Sequence, residues 1–222
     1  MAFVKSLPEE TTAITLWQLH PKAQAAWADL AAAVMRSDSE LSNGEKEFIG
    51  AYSSALRGCT HCYTAHYPVA VAYGIDPEFF NDVLQDPSNA PFDEKFRPIV
   101  VFIQKFITNP TRLVQADVDP IFEAGWSEAT FTDVVFICAL FSFMNSIMMG
   151  HGAHDADLTD FGPIHSIIRE SGKYGHGEGT GRTDPSILIA ESTKRFGEEA
   201  TMKAMKRAME LGIPQQLQRQ SG

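Results

Sequence analysis

The stretch SNGEKEFIGAYSSALRGCTHCYTAHYPVAVAYG, residues 42–74, decides the architecture of this 222-residue chain. It reads as two consecutive helices joined by a tight break. Ser42 followed by Glu45 has the spacing of a capping box, in which each side chain satisfies a backbone N–H that the first helical turn leaves without a partner. Phe48, Ile49, Tyr52 and Leu56 then supply an apolar face. Gly58 ends this helix, and a second runs from about Thr60 to Tyr73, closed by Gly74. Pro68 lies inside the second helix and is expected to kink it, because proline removes one backbone hydrogen bond.

Apolar spacings of three and four recur in the rest of the chain, while two-residue alternation is nowhere sustained, so an all-α fold is expected. Pro21 suits the first position of a helix that carries Ala25, Leu30 and Val34 to about Arg36, and Asp76 with Pro77 caps and opens a short one. An amphipathic stretch between Asp93 and Ile107 has Pro98 near its start. Ser127 opens, and Gly150 ends, a long helix that is apolar nearly all round and is expected to be buried. Its apolar run, Val134 to Met149, is interrupted by Ser142, Asn145 and Ser146 and is short for a bilayer, so no membrane span is expected. After His151, the stretches HGAHDADLTDFGP and GKYGHGEGTGRTDP read as connectors, and GHGEGTGR lacks the strand, lysine and serine of a phosphate loop. A final helix from about Lys194 to Leu211 places Met202, Met205 and Met209 on one stripe facing the core or another subunit.

A faint internal echo links LSNGEKEF to WSEATFTD, with His66 and His151 at similar offsets from Ser42 and Ser127, and suggests two related helical hairpins. The expected organisation is a helical core over residues 1–152, followed over 153–222 by a linker and a C-terminal helical extension that packs on the core or a partner subunit.

Composition narrows the functional classes. With 44% apolar and 21% charged residues the chain is that of an ordinary folded protein, and a net charge of -10 opposes binding to a nucleic-acid backbone or an anionic membrane. The N-terminus MAFVKSLPEE lacks a secretory pattern, so a reducing, cytoplasmic setting is expected, and there three cysteines do not make a disulfide scaffold.

Cys59, Cys62 and His66 are spaced by three and four residues, so on a helix their side chains share one face. A dithiol at this spacing can close to a disulfide, and a thiol at a helix N-terminus has its thiolate favoured by unsatisfied N–H groups. A histidine one turn beyond Cys62 can take its proton, and a carboxylate behind it would fix the ring and stabilise its charged form. Glu45 is the capping partner of Ser42, and Lys46 reads as solvent-facing. Glu47 lies on a face that continues through the small residues Ala51 and Ser54; a carboxylate on a closely packed face must be paired, and His66 is assigned as its partner.

Other readings stand beside this one. Cys59, Cys62 and His66 are zinc-ligand types that lack a clear fourth member, since His61 points elsewhere on the helix and reads as exposed, and His151 joins only if the hairpins pack suitably. A zinc-stabilised interaction module without turnover is the corresponding alternative function. His151, His154 and Asp155 can hold a metal, though a polar linker looks the same in sequence. Tyr63 and Tyr67 read as core or interface, and Cys138 as an inert buried thiol.

The pattern Glu47, eleven residues, Cys59, two, Cys62, three, His66 resembles the signature of the alkylhydroperoxidase D and carboxymuconolactone decarboxylase superfamily, closely over Ser42 to Gly74 and in layout from Leu16 to about Gly150. His61 matches a histidine found between the cysteines of some peroxidase members, and is a candidate supporting residue. The resemblance implies an all-helical, homo-oligomeric peroxidase of the alkylhydroperoxidase type, with no haem, metal or other cofactor. Cys62 would attack hydrogen peroxide or an organic hydroperoxide, with proton transfer toward His66 and Glu47; Cys59 would resolve the sulfenic acid. A thiol reductant protein or a lipoyl-type donor would restore the pair. Decarboxylase members lack the CxxC, so its presence favours the redox branch. A disulfide reductase using the same dithiol is the nearer alternative.

Overall fold

The computed structural model describes residues 2–88, 93–170 and 185–212. Among these, eleven α-helices follow in order: α1 (Ala13–Trp17), α2 (Pro21–Met35), α3 (Asn43–Leu56), α4 (Thr60–Ala72), α5 (Pro77–Gln85), α6 (Arg97–Thr108), α7 (Asp119–Glu123), α8 (Glu128–Gly150), α9 (Gly162–Glu170), α10 (Pro185–Phe196) and α11 (Glu198–Glu210). No strand occurs among the described residues, so the fold is all-α.

The helix starts follow from local chemistry. Ser42 Oγ accepts from the Glu45 N–H at 3.2 Å while Glu45 Oε2 accepts from the Ser42 N–H at 2.7 Å, a complete capping box on α3. Asp76 caps α5 and Pro77 occupies its first turn. Ser127 caps α8 by accepting from the Thr130 N–H at 3.2 Å. Although this start repeats that of α3, α8 runs unbroken through Phe143, the position at the offset of Gly58. Gly58 itself adopts φ +72°, the left-handed turn that lets α4 fold back on α3.

The main core forms where α3, α4, α6 and α8 meet, around Phe48, Ile49, Tyr52, Ile99, Ile103, Ile137 and Phe141. Gly50 is the point of closest approach between α3 and α8: a Cβ there would lie 2.2 Å from Phe141 Cζ. Tyr63 and Tyr67 pack with tilted rings against each other and edge-on against Phe80, on the flank of this core.

Several expectations require correction. Lys46 is buried, not solvent-facing; its Nζ donates to the Ser37 carbonyl at 2.6 Å and the Ser37 hydroxyl at 3.1 Å, because residues 36–41 fold back over α3. α8 is not buried all round. Its 23 residues are long and apolar enough to cross a membrane by length and composition alone, and Phe136 and Phe143 stand exposed on one stripe while Val134, Ile137, Leu140, Phe141 and Met148 face the core. Pro68 does lie inside α4, which continues to Ala72. Its face is where α9 docks: a Cβ on Gly162 would lie 2.4 Å from Pro68 Cβ.

Beyond His151, the connector gives way at Gly162 to α9, which packs on α4. The stretch 172–184 lies outside the described residues. The last helix begins at Glu198 rather than near Lys194, because Gly197 at φ +89° separates it from α10. It buries Thr201, Ala204 and Ala208, with Leu211 just past its end; of the methionine stripe only Met205 packs on this cluster, half-buried, while Met202 and Met209 are exposed.

Glu40 ties the loop before α3 to the start of α8. The hydroxyls of Ser127 and Thr130, with the Ser127 N–H, hold its carboxyl down at about 2 from an ordinary 4.5. A carboxyl whose folded value lies below its unfolded one stabilises fully above the unfolded value and loses that contribution as pH falls through the folded one. Glu40→Gln is therefore expected to lower stability near neutral pH and to flatten the acid limb between about 4.5 and 2. Thermal unfolding across that range checks this; an acid limb identical to wild type would contradict it.

Candidate active site

The break at Gly58 makes Cys59 the N-cap of α4 and puts Cys62 at the third helical position. At that position the Cys59 side chain makes no capping hydrogen bond, but its sulfur faces the positive end of the helix. Cys59 is held below the usual thiol range, first by a hydrogen bond from the Cys62 side chain, then, against the opposing effect of burial, by the Cys62 N–H and the nearby charge of Arg57. Cys62 is pushed well above that range by the same sulfur–sulfur hydrogen bond, by burial and by the charge on Cys59. Of the reduced pair, Cys59 is thus the more acidic thiol and Cys62 the one that holds its proton more tightly. Both sulfurs are buried against Leu16, Trp17, Met144, Met148 and Ala153, in an apolar chamber closed by α1 and α8.

Glu47 is fully buried on α3, and its two oxygens go to different helices. Oε2 lies 2.7 Å from His66 Nδ1, and Oε1 accepts from Arg36 Nη2 at 2.7 Å. A carboxylate facing Nδ1 sets the tautomer: Nδ1–H donates to Glu47, which leaves the basic lone pair on Nε2. Phe141 packs edge-on against the imidazole at 4.6 Å between centroids, and His165 of α9 approaches it at 6.2 Å. Gly50 matters here because it admits Phe141.

The structure therefore brings Glu47 onto His66, and Cys59 onto Cys62, with His66 one turn beyond Cys62 on the same helix. His61 is not exposed. Its ring is buried, Nε2 accepts from the Ala13 N–H at 3.2 Å, and its own backbone N–H donates to the His154 carbonyl at 2.8 Å. It fastens α1 and the connector after α8 to the start of α4. His151 Nδ1 turns to the Ile147 carbonyl of its own helix at 2.8 Å, while His154 pairs with Asp155 at 3.1 Å. No cluster of three or more His, Cys, Asp or Glu residues suited to a metal occurs among the described residues. Cys138 is enclosed in the core with its thiol pushed up to about 12 by burial, so it stays protonated and inert.

Two residues at the site escape sequence reasoning. Arg36 sits at the C-terminus of α2, donates also to the Met35 carbonyl at 2.8 Å and lies 5.6 Å from the Tyr73 ring centroid. The requirement that a buried carboxylate be paired is a signal that pointed to a cation but not to this one. Asn145, in the middle of α8, is fully buried, donates to Ser54 Oγ at 3.1 Å and favours charge on the Cys62 sulfur. A lone amide within an apolar helix marked it in the sequence only as an interruption.

Residues 21–92 match the model of the carboxymuconolactone decarboxylase family, a segment that contains Arg36, Glu47, Cys59, Cys62 and His66. A solved structure from Ralstonia eutropha JMP134, described as an alkylhydroperoxidase AhpD core and an uncharacterized peroxidase-related protein, shares the fold with a TM-score of 0.58 and 24% identity, over 63% of this chain and 73% of that one. An uncharacterized peroxidase-related protein from Silicibacter sp. TM1040 shares it with a TM-score of 0.57 and 19% identity, again over 63% and 73%. No curated protein matches the chain in sequence.

Removing one partner of a buried ion pair strands the other charge. Arg36→Met is expected to destabilise the protein by roughly 3 kcal/mol in urea unfolding. A change below about 0.5 kcal/mol, the level of an ordinary surface substitution, would contradict the pairing.

Proposed function

For a chain whose residues 21–92 match the carboxymuconolactone decarboxylase family and which has the alkylhydroperoxidase-like fold, we propose a thiol peroxidase, reducing hydrogen peroxide or a small organic hydroperoxide through Cys62 and Cys59. The observation that carries this reading is the buried Glu47–His66 pair, placed one helical turn from a dithiol that caps the same helix. Cys62 holds its proton tightly, so it needs a base to become a nucleophile. His66 Nε2 takes that proton, and Glu47 stabilises the imidazolium.

The Cys62 sulfur attacks the terminal oxygen of the hydroperoxide; the S–O bond forms as the O–O bond breaks, and the leaving alkoxide takes the proton from His66 and departs as alcohol. The sulfur is oxidised by two electrons, and Cys62 is left as a sulfenic acid. The Cys59 thiolate then attacks that sulfur, forming S–S as S–O breaks, and hydroxide leaves with a proton as water. An external dithiol, a thiol reductant protein or a lipoyl-type donor, returns both sulfurs to thiols; the dithiol is itself the redox centre and needs no cofactor. Burial of both sulfurs among apolar side chains suits a small uncharged oxidant.

One observation favours a second reading. The first sulfur of the pair is the more acidic, as suits attack on a disulfide, and such a reductase would act on small disulfides because Cys59 is enclosed.

Dithiol-dependent consumption of hydrogen peroxide and cumene hydroperoxide should fall to background in Cys62→Ser and by about a hundredfold or more in His66→Ala, the range of a lost general base. Equal rates in all three proteins would remove the mechanism. Faster turnover of a small disulfide than of either peroxide would favour the reductase.

A further inference from the structure

Asn145 occupies an unusual place for an amide. It is fully buried at mid-length of α8, with Met144 and Met148 beside it in the wall of the dithiol chamber. Its Nδ2 donates to Ser54 Oγ at 3.1 Å, and the Ser54 hydroxyl donates its own proton to the Gly50 carbonyl at 2.9 Å. Ser54 can therefore only accept from the amide, which fixes which end of Asn145 is which. With one N–H on Ser54, the second N–H of the amide is the group left to face the neighbouring Cys62 sulfur, on which Asn145 favours charge. Its Oδ1 is buried and has no hydrogen-bond partner among the described residues. Buried carbonyl oxygens are rarely left so unless a ligand or reaction state supplies the donor.

The sulfur that Asn145 touches acquires such a donor in only one state of the proposed cycle. As a thiol, Cys62 gives its proton to Cys59. As a sulfenic acid it carries a new O–H directly on the sulfur beside the amide. We propose that Asn145 is a catalytic residue of this dithiol, its N–H holding the Cys62 sulfur and its carbonyl accepting the O–H of the sulfenic acid formed there. The second half rests on the peroxidase reading above; the first does not. The amide thereby favours sulfur attack over retention of the proton. It also orients the S–O bond so that Cys59 can displace hydroxide from the far side of the sulfur. Ser54 acts as a positioning residue, through its grip on Nδ2.

The test uses the full-length protein in a Cys59→Ser background, where Cys62 is seen alone. Its alkylation by iodoacetamide is followed against pH by mass spectrometry, and its sulfenic acid is trapped with dimedone after one equivalent of cumene hydroperoxide. Asn145→Leu, similar in volume but without N–H or C=O, should move the alkylation midpoint up by about one pH unit, a tenfold loss of rate below the midpoint, and lower the dimedone yield. Asn145→Asp should move it further up, because a carboxylate beside the sulfur opposes its charge. Ser54→Ala should shift it in the same direction by less, and serves as the test if either Asn145 variant fails to fold. A midpoint unchanged in folded variants would overturn the assignment. A shifted midpoint with no dimedone adduct, even before Asn145 is altered, would keep the amide on the sulfur but overturn both the sulfenic-acid role and the peroxidase reading.

Discussion

A carboxylate cannot be buried alone, and the core of this molecule is arranged around that constraint. Glu47 is sealed between helices and divides its two oxygens between Arg36, at the end of α2, and His66, on α4. Three helices are thereby held in one register by two short contacts. Gly50, one turn further along α3, admits Phe141, whose ring presses on the imidazole that Glu47 holds. The histidine is thus fixed in tautomer by charge and in position by packing. Both constraints trace to residues of α3.

The dithiol depends on the break that ends that helix. The left-handed turn at Gly58 puts a cysteine at the N-cap of α4, so the sulfur nearest the helix start is the more acidic one and its neighbour the weaker acid. In the proposed cycle that division separates the roles of the groups around Cys62, with His66 as its base and Asn145 as the donor to its sulfur. The connector after α8 completes the enclosure. His154 satisfies a first-turn N–H of α4, the Leu158 N–H donates to Thr64 Oγ1 at 2.8 Å, and α9 seats on Pro68. A segment that continues past the α3–α4–α8 core is therefore part of the wall around the active helix.

Much of this was readable because it is local. The capping box at Ser42, the break at Gly58, the cap at Ser127 and the proline starts at Pro21 and Pro77 depend on residues within four positions of each other, and all stand where the sequence puts them. Glu47 could be matched to His66 because one physical rule, that an enclosed charge is paired, left few candidates. Long-range closure is what the pattern lacked. Lys46 looked exposed because nothing nearby shows that residues 36–41 fold back to collect its ammonium group, and His61 looked exposed because α1, which covers it, has only five residues and leaves little periodic signal. Gly162 and Pro163 read as a connector although that proline lies in the first turn of α9. The all-apolar surface of α8 suggested complete burial, yet periodicity counts apolar residues and not the neighbours available to cover them.

The central claim is that two of three cysteines form one redox centre beside a paired histidine while the third stays silent. A direct measurement is the thiol count and disulfide map of the reduced wild-type protein after a single equivalent of hydroperoxide. The account predicts the loss of both chamber thiols, a disulfide joining residues 59 and 62, and an unmodified Cys138. Three surviving thiols, or a disulfide that includes Cys138, would contradict it.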